Sequence, residues 1–159
     1  MTGIMMSMMN SVRVPVPYTW YEAFGTTVAI STTQYVGATK IYAESSTYDV
    51  PSFQNARIQV NDVEIVNTAQ RGHTMAVLSY GGNVISITNY DTYGSPAAVT
   101  AMANALNAVA AGNRVVLVVY DASALDNTAR SAINTGYGST NANTWTPQRI
   151  SHILIGIKS

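Results

Sequence analysis

The run Arg114–Tyr120, RVVLVVY, constrains the fold most. A strand with no polar position on either face has no face to offer water, so it must lie between two packed layers. The flanking patterns supply candidates for those layers. Upstream, Ser95-Pro96 reads as an N-cap followed by proline in the first helical turn. Val99, Met102, Leu106 and Val109 then recur at helical spacing up to Gly112. Downstream, residues 123–135 predict a shorter helix with Ser123 as cap and Gly136 as terminator. ISHILIGIK alternates and predicts a closing strand.

The first half of the chain reads as strands. TTVAISTTQYV is rich in β-branched residues, and 39–44 (TKIYAE) forms a short strand. RIQV and VEIV are joined by Asn61-Asp62, and HTMAVLSY and NVISITNY by Gly81-Gly82, both at hairpin spacing. Hairpins followed by helix, strand, helix, strand predict a mixed α/β or α+β class, with helices laid against sheet. Residues 1–37 are set apart as an extended, β-rich N-terminal arm, and 38–159 as the globular domain. The arm carries Pro15 and Pro17, which suit an edge segment, and an aromatic group of Tyr18, Trp20, Tyr21 and Phe24.

Charge excludes several functions. Only 10 % of the 159 residues are charged, and eight Lys+Arg balance eight Asp+Glu. Phosphate binding requires excess basic charge, so no nucleic-acid partner is expected, nor a basic membrane-surface segment. About a fifth of the chain is Ser or Thr. A near-neutral surface of this kind favours association. With no cysteine, disulfides, thiol nucleophiles and the common zinc frameworks are excluded. The opening MTGIMMSMMNSV lacks the basic start and cleavage site of a signal peptide and is too short to span a bilayer. Its soft methionines, Met5 and Met8 among them, suit docking on a neighbour, together with Trp20, Tyr21 and Phe24.

Enzyme motifs are missing: there is no GxSxG elbow, P-loop or strand-linked GxGxxG. His73 and His152 fall in predicted strands without a carboxylate or second histidine at metal-ligand spacing, and are read as structural. No metal or cofactor is expected. Asp121 stands at the end of the buried run, where sheet ligands favour strand carboxyl ends. Arg71 opens a strand, and Arg149 follows Trp145 by four residues. Carboxylate, guanidinium and an aromatic face are what a neutral sugar requires. Asp91, in the YDTYG turn, reads as a turn former. Asp91 and Asp121 are also the one pair to test for a glycosidase.

Taken in order, Arg71-Gly72, Tyr90-Asp91-Thr92-Tyr93, Asp121-Ala122-Ser123, and Arg149 with Gly156 resemble the interleukin-like EMT inducer family. The resemblance covers roughly residues 38–158, with Tyr90 where Phe is usual and Ile150 and His152 where Asp and Trp are common. It implies two β-sheets flanked by two or three short helices. It also implies a glycan site at Arg71, Asp121 and Arg149, as in the sugar-binding member of the family, a transferase stem domain. The family also occurs in phage tail and fibre proteins. The expectation is therefore a non-enzymatic structural protein of a tailed-phage virion, a tail, baseplate, fibre or decoration component. It assembles in the bacterial cytoplasm, partners copies of itself and neighbouring virion subunits, and displays a domain for host-surface glycan. A free carbohydrate-binding module is the alternative.

Overall fold

The computed structural model describes residues 20–26, 28–48, 55–144 and 149–159. Met5, Met8 and Trp145 lie outside the described residues, and of Trp20 only the backbone is described. Among the described residues nine strands form in chain order: β1 (Trp20–Thr26), β2 (Ile30–Val36), β3 (Thr39–Thr47), β4 (Ala56–Val60), β5 (Val63–Thr68), β6 (Gly72–Leu78), β7 (Val84–Tyr90), β8 (Arg114–Asp121) and β9 (Ile150–Ile157). Helix α1 (Pro96–Ala108) lies between β7 and β8, while α2 (Asn127–Tyr137) and a 3-10 turn (Asn141–Thr144) lie between β8 and β9.

The balanced α+β class with two sheets is corrected. Strand accounts for 50 % of the described residues and helix for 22 %, and all nine strands join one mixed sheet. The reason lies in β3. It runs beyond its antiparallel partners β2 and β4 and pairs in parallel with the end of β8, through Ser46↔Tyr120 and Thr47↔Asp121. Hairpin patterns that read separately are thereby joined. β1, drawn from the expected arm, also pairs antiparallel with β9, from Trp20↔Gly156 to Thr26↔Ile150.

β8 is flanked by β6 and β9 and buried on both faces. On one face Leu117, Met75 and Leu154 pack against Met102 and Leu106 of α1 and Ile133 of α2. On the other, Val116, Val118 and Ile153 meet Ile41 and Ile58 of β3 and β4. Two cores sharing β8 explain why its sequence has no polar alternation.

Turn chemistry sets the register. Asn61 and Asp62 both take positive φ, +49° and +67°, the conformation of a type I′ hairpin. The β6–β7 connection is longer than the two glycines expected, spanning Ser79–Asn83 and closed by Ser79 N–H donating to Asn83 O. Ser95 caps α1 by accepting from Ala98 N–H. The predicted ends of α2 are displaced: Asp126, not Ser123, accepts from Ala129 N–H, and Gly138, not Gly136, takes the left-handed closing conformation. Ser123 is unable to cap because its hydroxyl is engaged inside the protein.

Candidate functional site

The register gathers the chemistry at one end of the sheet. Gly72 lies opposite Tyr120, His73 opposite Tyr90, and Thr47 opposite Asp121. Since β9 runs antiparallel to β8, its start also falls at this end. Arg71, Asp91, Asp121, Tyr48 and Arg149 therefore cluster there from five separate segments.

Arg71 grips Asp91 in a two-pronged bond, Nε to Oδ1 at 2.9 Å and Nη2 to Oδ2 at 2.7 Å. Its guanidinium also lies 5.5 Å from the centre of the Tyr93 ring. Asp91 Oδ1 accepts from Gly94 N–H as well, so it forms the turn and holds the arginine together. The arginine first, and then the turn amides, hold the Asp91 carboxyl below its ordinary range. Gly72 is required here by the backbone, and Gly94 leaves room for the ion pair. A Cβ on Gly72, at φ +97°, would stand 2.1 Å from Tyr90 O, and one on Gly94 would stand 2.3 Å from Arg71 Nη2.

Asp121 takes φ +69°, rare for a residue with a side chain, and its carbonyl accepts from Tyr48 N–H. The negative charge of Asp121 acts on Arg71. Arg149 stacks over the Tyr48 ring at 4.8 Å. Behind this edge the buried hydroxyls of Ser46 and Thr47 have no hydrogen-bond partner among the described residues. The structure thus brings Arg71, Asp121 and Arg149 to one edge. Tyr48, Ser46 and Thr47 were not singled out from sequence, because only the β3–β8 pairing places them there, whereas Tyr93 comes with Asp91 in the turn after β7. Of the expected assembly residues, Phe24 is partly exposed on β1 and Tyr21 half-buried.

Beneath the edge runs a buried polar chain that sequence spacing did not reveal. Thr92 Oγ1 donates to Ser123 Oγ at 3.0 Å, and Ser123 Oγ lies 3.0 Å from His73 Nδ1. His73 Nε2 meets His152 Nδ1 at 2.9 Å, and His152 Nε2 meets Glu22 Oε1 at 2.8 Å. Ser139 Oγ donates to Glu22 Oε2. Both histidines and Ser123 are fully buried. Burial, with His152 beside it, holds His73 well below the ordinary imidazole range. The carboxylate that meets His152 stands 130 positions before it in the chain, beyond the reach of any spacing motif. A serine on a histidine is the geometry of an activated nucleophile, yet Ser123 has no exposed surface for a substrate to reach. Among the described residues no three His, Asp or Glu side chains are placed to hold a metal ion.

Comparison with known proteins places this architecture. Residues 71–159 match the interleukin-like EMT inducer family. The match covers more than half of the chain, which belongs to that family. It begins at Arg71 and takes in β6 to β9 with both helices, so it is shorter than the 38–158 expected from resemblance. No curated protein matches the chain.

Proposed function

We propose that this protein is a non-catalytic structural component of a tailed-phage virion, whose family domain presents a glycan-recognition surface at the sheet end. The convergence of Arg71, Asp91, Asp121 and Arg149 with the Tyr48 and Tyr93 rings carries the glycan reading. Carboxylates accept from sugar hydroxyls, guanidinium groups donate to ring substituents, and tyrosine faces cover the apolar side of a pyranose. Assembly into a particle is supported by the nearly uncharged composition and by Val84, Ile85 and Ile87 exposed along the edge strand β7.

A glycan array probed with wild-type protein, Arg149→Ala and Asp121→Ala tests the site. Binding by wild type, lost in both variants, supports it; equal binding by all three removes it. Electron microscopy of intact particles carrying a labelled chain tests the virion reading. A chain found only free in the lysate would return the free binding module instead.

A further inference from the structure

Four strands keep a single partner among the described residues: β1, β2, β5 and β7. An edge strand normally carries an inward charge, a proline or glycine, a bulge or a covered face that discourages further pairing. Three of the four do. β1 buries the carboxylate of Glu22 and contains Gly25. β5 carries Glu64, ion-paired with Arg57, and a register shift within its length. β2 alternates exposed with half-buried positions, so one of its faces rests on the protein.

β7 is different. Every residue from Val84 to Thr88 is exposed, and Val84, Ile85 and Ile87 keep 45 %, 55 % and 43 % of their surface. No Lys, Arg, Asp or Glu occurs between Arg71 and Asp91, and β7 holds neither proline nor glycine. The one shift in its register with β6 falls beside Val84, leaving Ser86–Tyr90 in regular pairing.

Both faces of β7 border a groove. On the α1 side Ile85, Ser86 and Thr88 lie with Val77, Ala105 and Val109. On the other side Ile87 and Asn89 lie with Ile65 and Thr68 of β5 and Thr74 of β6. A strand laid along β7 sends alternate side chains toward these two grooves, while its backbone bonds the open edge.

A second β7 fits as that strand. Turned about a two-fold axis through Ile87, it runs antiparallel to the first. Ile87 of one copy then meets Ile87 of the other, Ser86 meets Thr88, Val84 meets Tyr90, and Ile85 meets Asn89. The first three are aliphatic, hydroxyl and β-branched–aromatic pairs, each favourable across antiparallel strands, and no charge opposes another.

We propose that β7 is a self-pairing edge: two copies of this chain join β7 to β7, antiparallel about Ile87, into one continuous sheet. The proposal rests on the assembly reading above and names its first partner, a second copy of the chain.

Because the chain has no cysteine, single substitutions report the pairing directly. Antiparallel pairs alternate between close and wide, so either Ile87 with itself or Ser86 with Thr88 falls on a close pair. Mild oxidation should therefore yield a disulfide dimer from Ile87→Cys, from mixed Ser86→Cys and Thr88→Cys chains, or from both. Ser86→Cys alone should stay unlinked, since its counterpart lies two residues out of register. So should Tyr80→Cys, exposed in the β6–β7 turn and at least about 26 Å from its counterpart. Light scattering on the wild type should give twice the mass of one chain. Ile87→Lys, setting ammonium against ammonium, should weaken association at least about tenfold.

A wild type still monomeric at about 0.1 mM overturns the proposal, as does a dimer that survives Ile87→Lys. Absence of both β7 linkages, or linkage at Tyr80 as strong as theirs, overturns it too. If Ile87→Lys fails to fold, the cysteine pattern decides by itself. The virion reading fails separately: a dimer found only free in the lysate refutes assembly into a particle and leaves the β7 pairing intact.

Discussion

Two polar clusters touch along the chain at Arg71 and His73 and again at Asp91 and Thr92, and they obey different rules. Arg71–Asp91 sits at the surface, with side chains 44 % and 42 % exposed, and water screens it. Glu22–His152–His73 lies in the interior, where every polar group must find a partner and a missing one is costly. The exposed cluster is therefore free to serve a ligand and the buried one to govern stability. Asp91 and Thr92, adjacent in sequence, belong to opposite clusters because the turn between them points one side chain out and the other in.

The largest expected effect breaks the buried side. Glu22→Ala leaves His152 and Ser139 without their acceptor and should cost about 3–5 kcal/mol in denaturant unfolding. Gly72→Ala tests the support between the clusters. A Cβ pressed into Tyr90 O at positive φ should cost about 3 kcal/mol, read as a lowered melting temperature.

Acid separates the clusters next. His73 is held below its ordinary value, so the unfolded chain takes up a proton that the folded one refuses. Stability is therefore present above the ordinary imidazole value near about pH 6.5 and falls below it, by up to about 1.4 kcal/mol per pH unit. Unfolding midpoints measured across that range check the sign. Asp126→Ala, removing the α2 cap, should cost about 1 kcal/mol and leave the pH slope intact. Asp91→Asn should leave the melting temperature almost unmoved while abolishing glycan-array binding. A large stability loss there would show that the two clusters are one unit.

Local signals in the sequence were sound where local physics decides. RVVLVVY is the doubly buried strand, Ser95-Pro96 starts α1, and Asn61-Asp62 makes its hairpin. The expected Ser123 cap failed because His73, fifty positions away, takes the hydroxyl, leaving Asp126 to cap α2. Arg71, Asp121 and Arg149 were visible as rare charges beside apolar strands. Tyr48 and Glu22 were not, because nothing in TYD or YEA announces which strand lies alongside.

Periodicity, capping and turn residues are short-range, and by themselves they determined the strands, the helices and the thinly charged surface of this protein. Tertiary structure alone decided that β3 crosses to β8, merging the hairpins into one sheet, and that β1 delivers a carboxylate to two histidines. Those pairings join residues 74 and 130 positions apart, and contact at such range follows from packing rather than from any local preference of the chain.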